Sequence, residues 1–200
     1  MSNLIPNATA IEEASEHIKS ALKILGFFEG SDSFDASEHL KDTPKRIAKA
    51  WTEYTFKDIN KPTFKCTSFS GDKINSVQIV RDINFSSLCA HHFFPFMGHC
   101  HVAYLPNEKI IGLSKIPRLV NYIAAQPQIQ EILVNQIADS LYKIIEPRFV
   151  MVIMPDVVHT CCSCRGVKSS SKFISSSIRS NMSNEDIRSL KEEVIKLLQL

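Results

Sequence analysis

Two clusters of metal-binding side chains stand far apart in this 200-residue chain. Cys89-Ala90-His91-His92 sets a thiol and an imidazole three positions apart, the spacing at which a single turn brings two ligands to one ion. His159-Thr160-Cys161-Cys162-Ser163-Cys164-Arg165 must supply the remaining donors. Thiolate sulfur with imidazole nitrogen suits zinc. Read as a strand, the second cluster alternates, with His159, Cys161, Ser163 and Arg165 on one face and Cys162 and Cys164 on the other. Cys89, His92 and Cys161 alone leave a fourth position open, the catalytic pattern. Adding Cys164 closes the shell in a structural pattern. The parity favours the open site, because His159 and Arg165 share the face of Cys161 and would be idle beside a closed one. At an open position a coordinated water ionises near neutral pH and attacks an electrophilic carbon, so hydrolysis is the expected reaction class. His91 and His159 are then the candidate proton carriers. Cys66 and Cys100 read as small buried hydrophobes, and His99 and His101 as exposed or hydrogen-bonded side chains flanking Cys100 on a strand.

These clusters need elements to bring them together. Ile11, Ala14, Ile18, Ala21, Leu22 and Leu25 recur at helical spacing, and Gly26 follows as a C-cap. A polar loop through Gly30, Ser31 and Asp32 leads to a second helix, with Thr43 as N-cap, Pro44 at its first position, and Ile47, Ala48, Trp51 and Tyr54 as its apolar face. Val77, Ile79, Val80 and Ile83, then Val102 and Tyr104 after the Cys-His segment, predict two antiparallel strands. Ser114 caps a helix with core face Ile116, Leu119, Val120 and Ile123. Gln126-Pro127 ends it, and Ile129, Ile132, Leu133, Ile137, Leu141 and Ile144 line the next helix. Phe149 to Met154 reads as a buried strand and Val157 to Arg165 as its hairpin partner around Pro155-Asp156. Ser169 to Ser177 is loop or edge strand, and Ser183 with Asp186 opens a terminal helix through Ile187, Leu190, Val194 and Leu197. The order is that of an α+β fold, with an N-terminal helical arm over 1–60 and a catalytic unit over 61–200.

Composition narrows the class. With 44% hydrophobic and 22% charged residues, 6 Gly and 9 Pro, the chain excludes disordered, collagenous and coiled-coil proteins. Lys+Arg 23 against Asp+Glu 21 leaves +2, with no basic stripe for nucleic acid or membrane. No apolar run approaches a spanning helix, and the first residues carry no leader pattern, so a cytoplasmic protein is expected. Five of the six cysteines and five of the seven histidines lie between 89 and 164, a clustering that fits reduced thiols used for metal or catalysis rather than a disulfide framework. None of the six glycines forms a phosphate-cradling loop, so a polyphosphate would have to be held by side-chain cations.

Several further motifs stand in order: Thr43-Pro44-Lys45-Arg46-Ile47-Ala48-Lys49, Cys89 through Phe96, Tyr104-Leu105-Pro106, Gly112-Leu113-Ser114-Lys115-Ile116-Pro117-Arg118, Gln128-Ile129-Gln130-Glu131, and His159 through Val167. In these the sequence resembles the GTP cyclohydrolase I family, from Thr43 to about Ser177. The resemblance implies a tunnelling fold, an antiparallel sheet with two helices inserted between its second and third strands, assembled as a homodecamer. It implies zinc on Cys89, His92 and Cys161, with His91 and His159 as the mechanistic histidines. Glu131 would read the guanine N–H edge, with Gln130 beside it among the substrate contacts. Arg46, Lys49, Ser114, Lys115, Arg118 and Arg165 would hold the triphosphate, Arg46 and Lys49 reaching in from a neighbouring subunit. The implied reaction opens GTP at guanine C8, releases formate and rearranges to 7,8-dihydroneopterin triphosphate. The sequence departs from the family pattern at Ala90, where the family usually has Glu, at Pro117, at Cys162 and Cys164, and in the segment after Val167, where Phe173-Ile174 replaces small hydroxyl residues. The alternatives are a relative of the same fold with a closed structural zinc, or one acting on a related purine or pterin.

Overall fold

A computed structural model describes residues 8–27, 37–56, 67–71 and 74–199. The loop through Gly30, Ser31 and Asp32, the thiol of Cys66 and the side chain of Tyr54 lie outside the described residues. The chain falls into two compact units, Met1–Asn60 and Lys61–Leu200.

The first unit pairs α1 (Ala8–Ile24) with α2 (Thr43–Phe56). Gly26 stops α1 as its sequence suggests: at φ 76° it takes the left-handed conformation, its N–H bonds to Lys23 O, and Phe27 N–H reaches back to Leu22 O. This double closure satisfies carbonyls that the helix end would otherwise strand. Ile11, Ile18 and Leu22 are half-buried, while Ala14, Ala21 and Leu25 are exposed. Thr43 is already helical, and the Asp42 carbonyl accepts the first helical bond, from Arg46 N–H at 2.9 Å. Lys45 of α2 pairs with Glu12 of α1.

The second unit is built on a five-stranded sheet of order β5-β2-β3-β6-β7, formed by β2 (Gln78–Cys89), β3 (Pro95–Leu105), β5 (Pro127–Gln128), β6 (Phe149–His159) and β7 (Phe173–Ser180). All its pairings are antiparallel except the two-residue β2–β5 contact. A small ribbon pairs β1 (Ser68–Ser70) with β4 (Lys109–Ile111). In sequence, α3 (Lys115–Ala124) and α4 (Gln130–Ile145) fall between β3 and β6, and α6 (Asn184–Leu198) ends the described chain. Among the described residues no helix is long and apolar enough to cross a membrane.

Burial follows from strand alternation. On one sheet face Phe85, Cys100, Val102, Val150 and Val152 pack under Ile116, Leu119, Val120 and Ile123 of α3 and Leu133, Ile137 and Leu141 of α4. On the other, Ala103, Leu105, Phe149 and Met151 meet Val194 of α6. Both faces of β6 are therefore apolar, which is why Phe149 to Met154 reads as one continuous hydrophobic run. Ser183 caps α6 by accepting Asp186 N–H. Ser114, by contrast, is itself in helical conformation and its hydroxyl caps nothing. Ile132, predicted for the core face of α4, is 47% exposed.

The predicted hairpin at Pro155-Asp156 does not form. The chain runs straight on as β6 to His159, with a register shift between Met154 and Val157. A proline lacks a ladder donor and is tolerated at such a bulge. The bulge also explains the parity: Val150, Val152 and Met154 face one core, and Val157 rejoins it three positions later. Opposite, β3 shifts register between Met97 and His101, and the Asp156 carboxylate takes over there. It accepts His99 N–H at 3.0 Å and the His99 ring at 2.6 Å. His101 is likewise satisfied, its Nδ1 accepting Asp82 N–H at 3.0 Å where Asp82 turns through φ 58°.

Burial pushes the Asp156 carboxyl up, but the bonds and charge of His99 outweigh it and leave its pKa below the ordinary carboxylate value. A folded-state pKa below the unfolded one means that the stabilisation is complete above the unfolded value of about 3.9 and is lost as pH falls through the folded value. Asp156→Asn should therefore cost about 1 kcal/mol at pH 7, the scale of a charge-assisted bond discounted for partial exposure. Its urea midpoint should also fall less steeply than that of the unmodified protein between pH 5 and pH 3, a comparison that checks the assignment.

Candidate metal site

The first ligand cluster occupies the turn between β2 and β3. His92 N–H and Phe93 N–H both bond to Cys89 O, at 3.3 and 2.8 Å, so residues 89–93 wind as one helical turn and place Cys89 and His92 on the same side. Phe93 closes the turn in the left-handed region at φ 56°, and Cys89 N–H bonds onward to Phe94 O. From the other side, β5 braces the turn through Ala90 N–H to Gln128 O at 2.9 Å. Gln128 is itself fixed, its amide donating to Ile123 O and to Gln136 Oε1, both at 2.9 Å.

The second cluster corrects the sequence reading. His159 is the last residue of β6, and the chain then coils into α5 (Thr160–Ser163) instead of continuing as a strand. Thr160 Oγ1 pins this turn by donating to Pro95 O at 2.6 Å. Strand parity is therefore lost at Thr160. Cys162, expected on the far face, lines the same cavity as Cys161, whereas Arg165, expected beside Cys161, is exposed and is not part of the cavity wall. Cys164 is exposed, and its S–H donates to Thr160 O.

The two turns bring the ligand atoms of Cys89, His92 and Cys161 within 4.8 Å of one another. Cys89 Sγ is 3.7 Å from His92 Nδ1 and 3.9 Å from His91 Nδ1. With bonds of about 2.0–2.3 Å, the ligands of a tetrahedral ion stand roughly 3.5 Å apart, so this trio can hold a metal with little adjustment. Cys164 is not among the three. Burial, with the neighbouring Cys89 and Cys162 thiols, pushes the Cys161 thiol above its ordinary range. A bound cation reverses that preference, because a coordinated thiol is deprotonated.

The trio opens onto a cavity of about 290 Å³, at the lower end for a small-molecule site. His159 stands in its wall. Its ring stacks on Phe96 (centroids 4.6 Å apart, planes 5° apart), meets Phe173 edge-on at 5.2 Å, and bonds through Nε2 to Gln130 Oε1 at 2.8 Å. Burial holds the His159 pKa below the usual histidine value, opposed by the charge of Glu131. Glu131, in the first turn of α4, also lines the cavity. Gln130, expected among the substrate contacts, also lines the cavity but is 4% exposed, and its amide donates to β7, to Ser175 Oγ at 2.9 Å and Phe173 O at 3.4 Å.

Among the described residues the cavity wall holds no lysine or arginine. Ser114, Lys115 and Arg118 sit at the start of α3, outside that wall. Arg46 and Lys49 belong to the first unit, where they pair along α2 with Asp42 and Glu53 at 3.8 and 3.6 Å. Sequence reasoning missed Phe96, Phe173 and Ser175. For Phe173 and Ser175 the signal was the Ser-x-Ser-x-Arg alternation of β7, since Ser175, Ser177 and Arg179 all face α4: Ser177 bonds to Asn135 at 2.8 Å and Arg179 to Asp139 at 2.6 Å.

Residues 16–199 match the family model for GTP cyclohydrolase I. A GTP cyclohydrolase 1 of Aquifex aeolicus is 40% identical over 185 residues, covering 92% of this chain and 96% of that protein. One of Sulfolobus acidocaldarius is 43% identical over 197 residues, covering 94% and 90%. A third, from a Sulfurihydrogenibium species, is 42% identical over 152 residues, covering 76% and 78%.

Proposed function

The chain belongs to the GTP cyclohydrolase I family, and from that premise we propose that it hydrolyses GTP at guanine C8, releases formate and forms 7,8-dihydroneopterin triphosphate. The observation that carries the reading is the convergence of Cys89, His92 and Cys161 beside His159 in one cavity. The catalytic unit is 61–200, a tunnelling fold with its two helices inserted between the second and third strands, and 1–60 is a helical arm.

Zinc is the proposed occupant of the Cys-His-Cys trio, whose donor set suits it. When bound there, it acidifies a water and polarises the atom it touches. Glu131 presents two acceptor oxygens to the guanine N1–H and exocyclic amine, a two-point contact with the edge that marks guanine among purines. His159, kept neutral by burial, exchanges a proton with N7 as the five-membered ring opens, and His91 handles a proton in a later step. Phe173, Ile129 and Ile174 give the cavity apolar walls.

The triphosphate lies outside this cavity, where Ser114, Lys115, Arg118 and Arg165 meet it. Lys115 and Arg118 lie in the first turn of α3, whose N-terminal amides also favour anions. Arg46 and Lys49 come from a neighbouring copy, and the homodecamer expected from the family resemblance completes each site between subunits.

The test is direct. Purified zinc-loaded protein mixed with GTP should yield one formate per GTP and, after oxidation, a fluorescent pterin. Absence of both products from a sample carrying its full complement of zinc would replace this reading with a relative holding a structural zinc or one acting on a related purine or pterin.

A further inference from the structure

We propose that Gln130 is a positioning residue that fixes the tautomer of His159, so that the imidazole exchanges its proton with substrate through Nδ1. The inference rests on the proposed reaction for its catalytic consequence, but its structural content stands on hydrogen bonding alone.

An amide side chain can be placed in either of two orientations, and here its partners decide. On the β7 side Gln130 meets the Phe173 carbonyl at 3.4 Å and Ser175 Oγ at 2.9 Å. A carbonyl only accepts, so the edge facing β7 is the NH₂ group. The oxygen is then the edge facing His159 at 2.8 Å, and an amide oxygen also only accepts. His159 must therefore donate, which places its hydrogen on Nε2 and leaves the lone pair of the neutral ring on Nδ1.

The arrangement is held from several sides. Phe96 stacked against the ring and Phe173 at its edge fix the plane of the imidazole. Further along α4, Asn135 to Ser177 and Asp139 to Arg179 keep helix and strand in register, so Ser175 stays opposite Gln130. Both amide hydrogens are engaged, and no donor remains for a nucleobase. The proton balance closes on the same residue. Nδ1 takes up the proton that the attacking water loses as its oxygen bonds to C8 and the C8–N7 π pair moves onto N7. This gives the imidazolium while Nε2–H stays on Gln130, and Nδ1 then releases that same proton to N7. The ring returns to its starting tautomer with no rearrangement between turnovers.

Neutron diffraction from crystals of the zinc-loaded protein at neutral pH reads the tautomer without reference to activity. A deuteron on His159 Nε2 is expected, and a deuteron on Nδ1 with none on Nε2 overturns the proposal. In kinetics, Gln130→Met should lower kcat by about 10–100-fold, the usual cost of losing a group that orients a functional histidine, with KM for GTP within about twofold. Wild-type kcat, or a raised KM at unchanged kcat, overturns it, the latter by making Gln130 a substrate contact. If Gln130→Met fails to fold, Ser175→Ala serves, with a smaller loss in kcat at unchanged KM expected. If the wild-type protein makes no formate from GTP, the functional reading fails while the deuteron position still decides the tautomer.

Discussion

Cys161→Ala should leave the protein without its metal and lower formate release from GTP by on the order of 10³-fold or more, since the acidified water depends on the ion. Cys161 is buried at the start of α5, and its sulfur is one of only three converging donors in the described chain. Cys89 and His92 alone share one turn and cannot enclose an ion. The protein fold should survive the change, because replacing CH2SH by CH3 removes only a sulfur's volume and costs on the order of 1 kcal/mol. Cys164→Ala is the discriminating companion. Its sulfur faces the Thr160 carbonyl from an exposed position, so metal content should stay at one ion per chain. Elemental analysis of the two variants checks the pair: metal retained in Cys161→Ala, or lost in Cys164→Ala, would mean that the ligand set closes differently. Because both thiols must release protons to bind, metal affinity should also fall as pH is lowered.

The elements were legible where periodicity is strong. Ile116, Leu119, Val120 and Ile123 announce α3 because one helical face is fully buried, and Ser183 announces α6 because its hydroxyl accepts Asp186 N–H. The three converging donors were legible too, because a Cys-x-x-His turn is local and needs only one partner. What failed was the path of the chain at the two irregularities that shape the site. A bulge at Pro155-Asp156 carries the same punctuation as a hairpin, and only the pairing of β6 with both β3 and β7 tells them apart. The coil at Thr160 to Ser163 is anchored by a hydroxyl bond to Pro95, 65 positions away, which no local pattern encodes. The Gln130 to Ser175 contact is equally nonlocal, spanning 45 positions. In each case the local signal was present and the distant partner chose its meaning.

His159→Ala should lower kcat by about 10²–10⁴-fold, the range for loss of a general acid–base group, while the zinc stays bound. The reasoning joins two separate features of the site. His159 lies outside the set of three donors, so removing it takes no ligand from the ion. Yet its ring stands in the same cavity wall, flanked by Phe96 and Phe173, where in the proposed reaction the purine presents its imidazole edge. Alanine leaves the Gln130 oxygen without its donor, a cost of about 1–3 kcal/mol if no water replaces it, so a drop in thermal stability is expected alongside the lost turnover. His159→Gln separates the two effects, because its amide can still donate to Gln130 but has no group that titrates near neutral pH. That variant should recover most of the stability and none of the rate. Zinc analysis, thermal midpoint and formate release measured on both variants form the test. A rate restored in His159→Gln would show that the ring is scaffold, and zinc lost from both would make it a ligand. Retained zinc with neither rate restored leaves one role for the ring, the transfer of a proton between solvent and the opening purine.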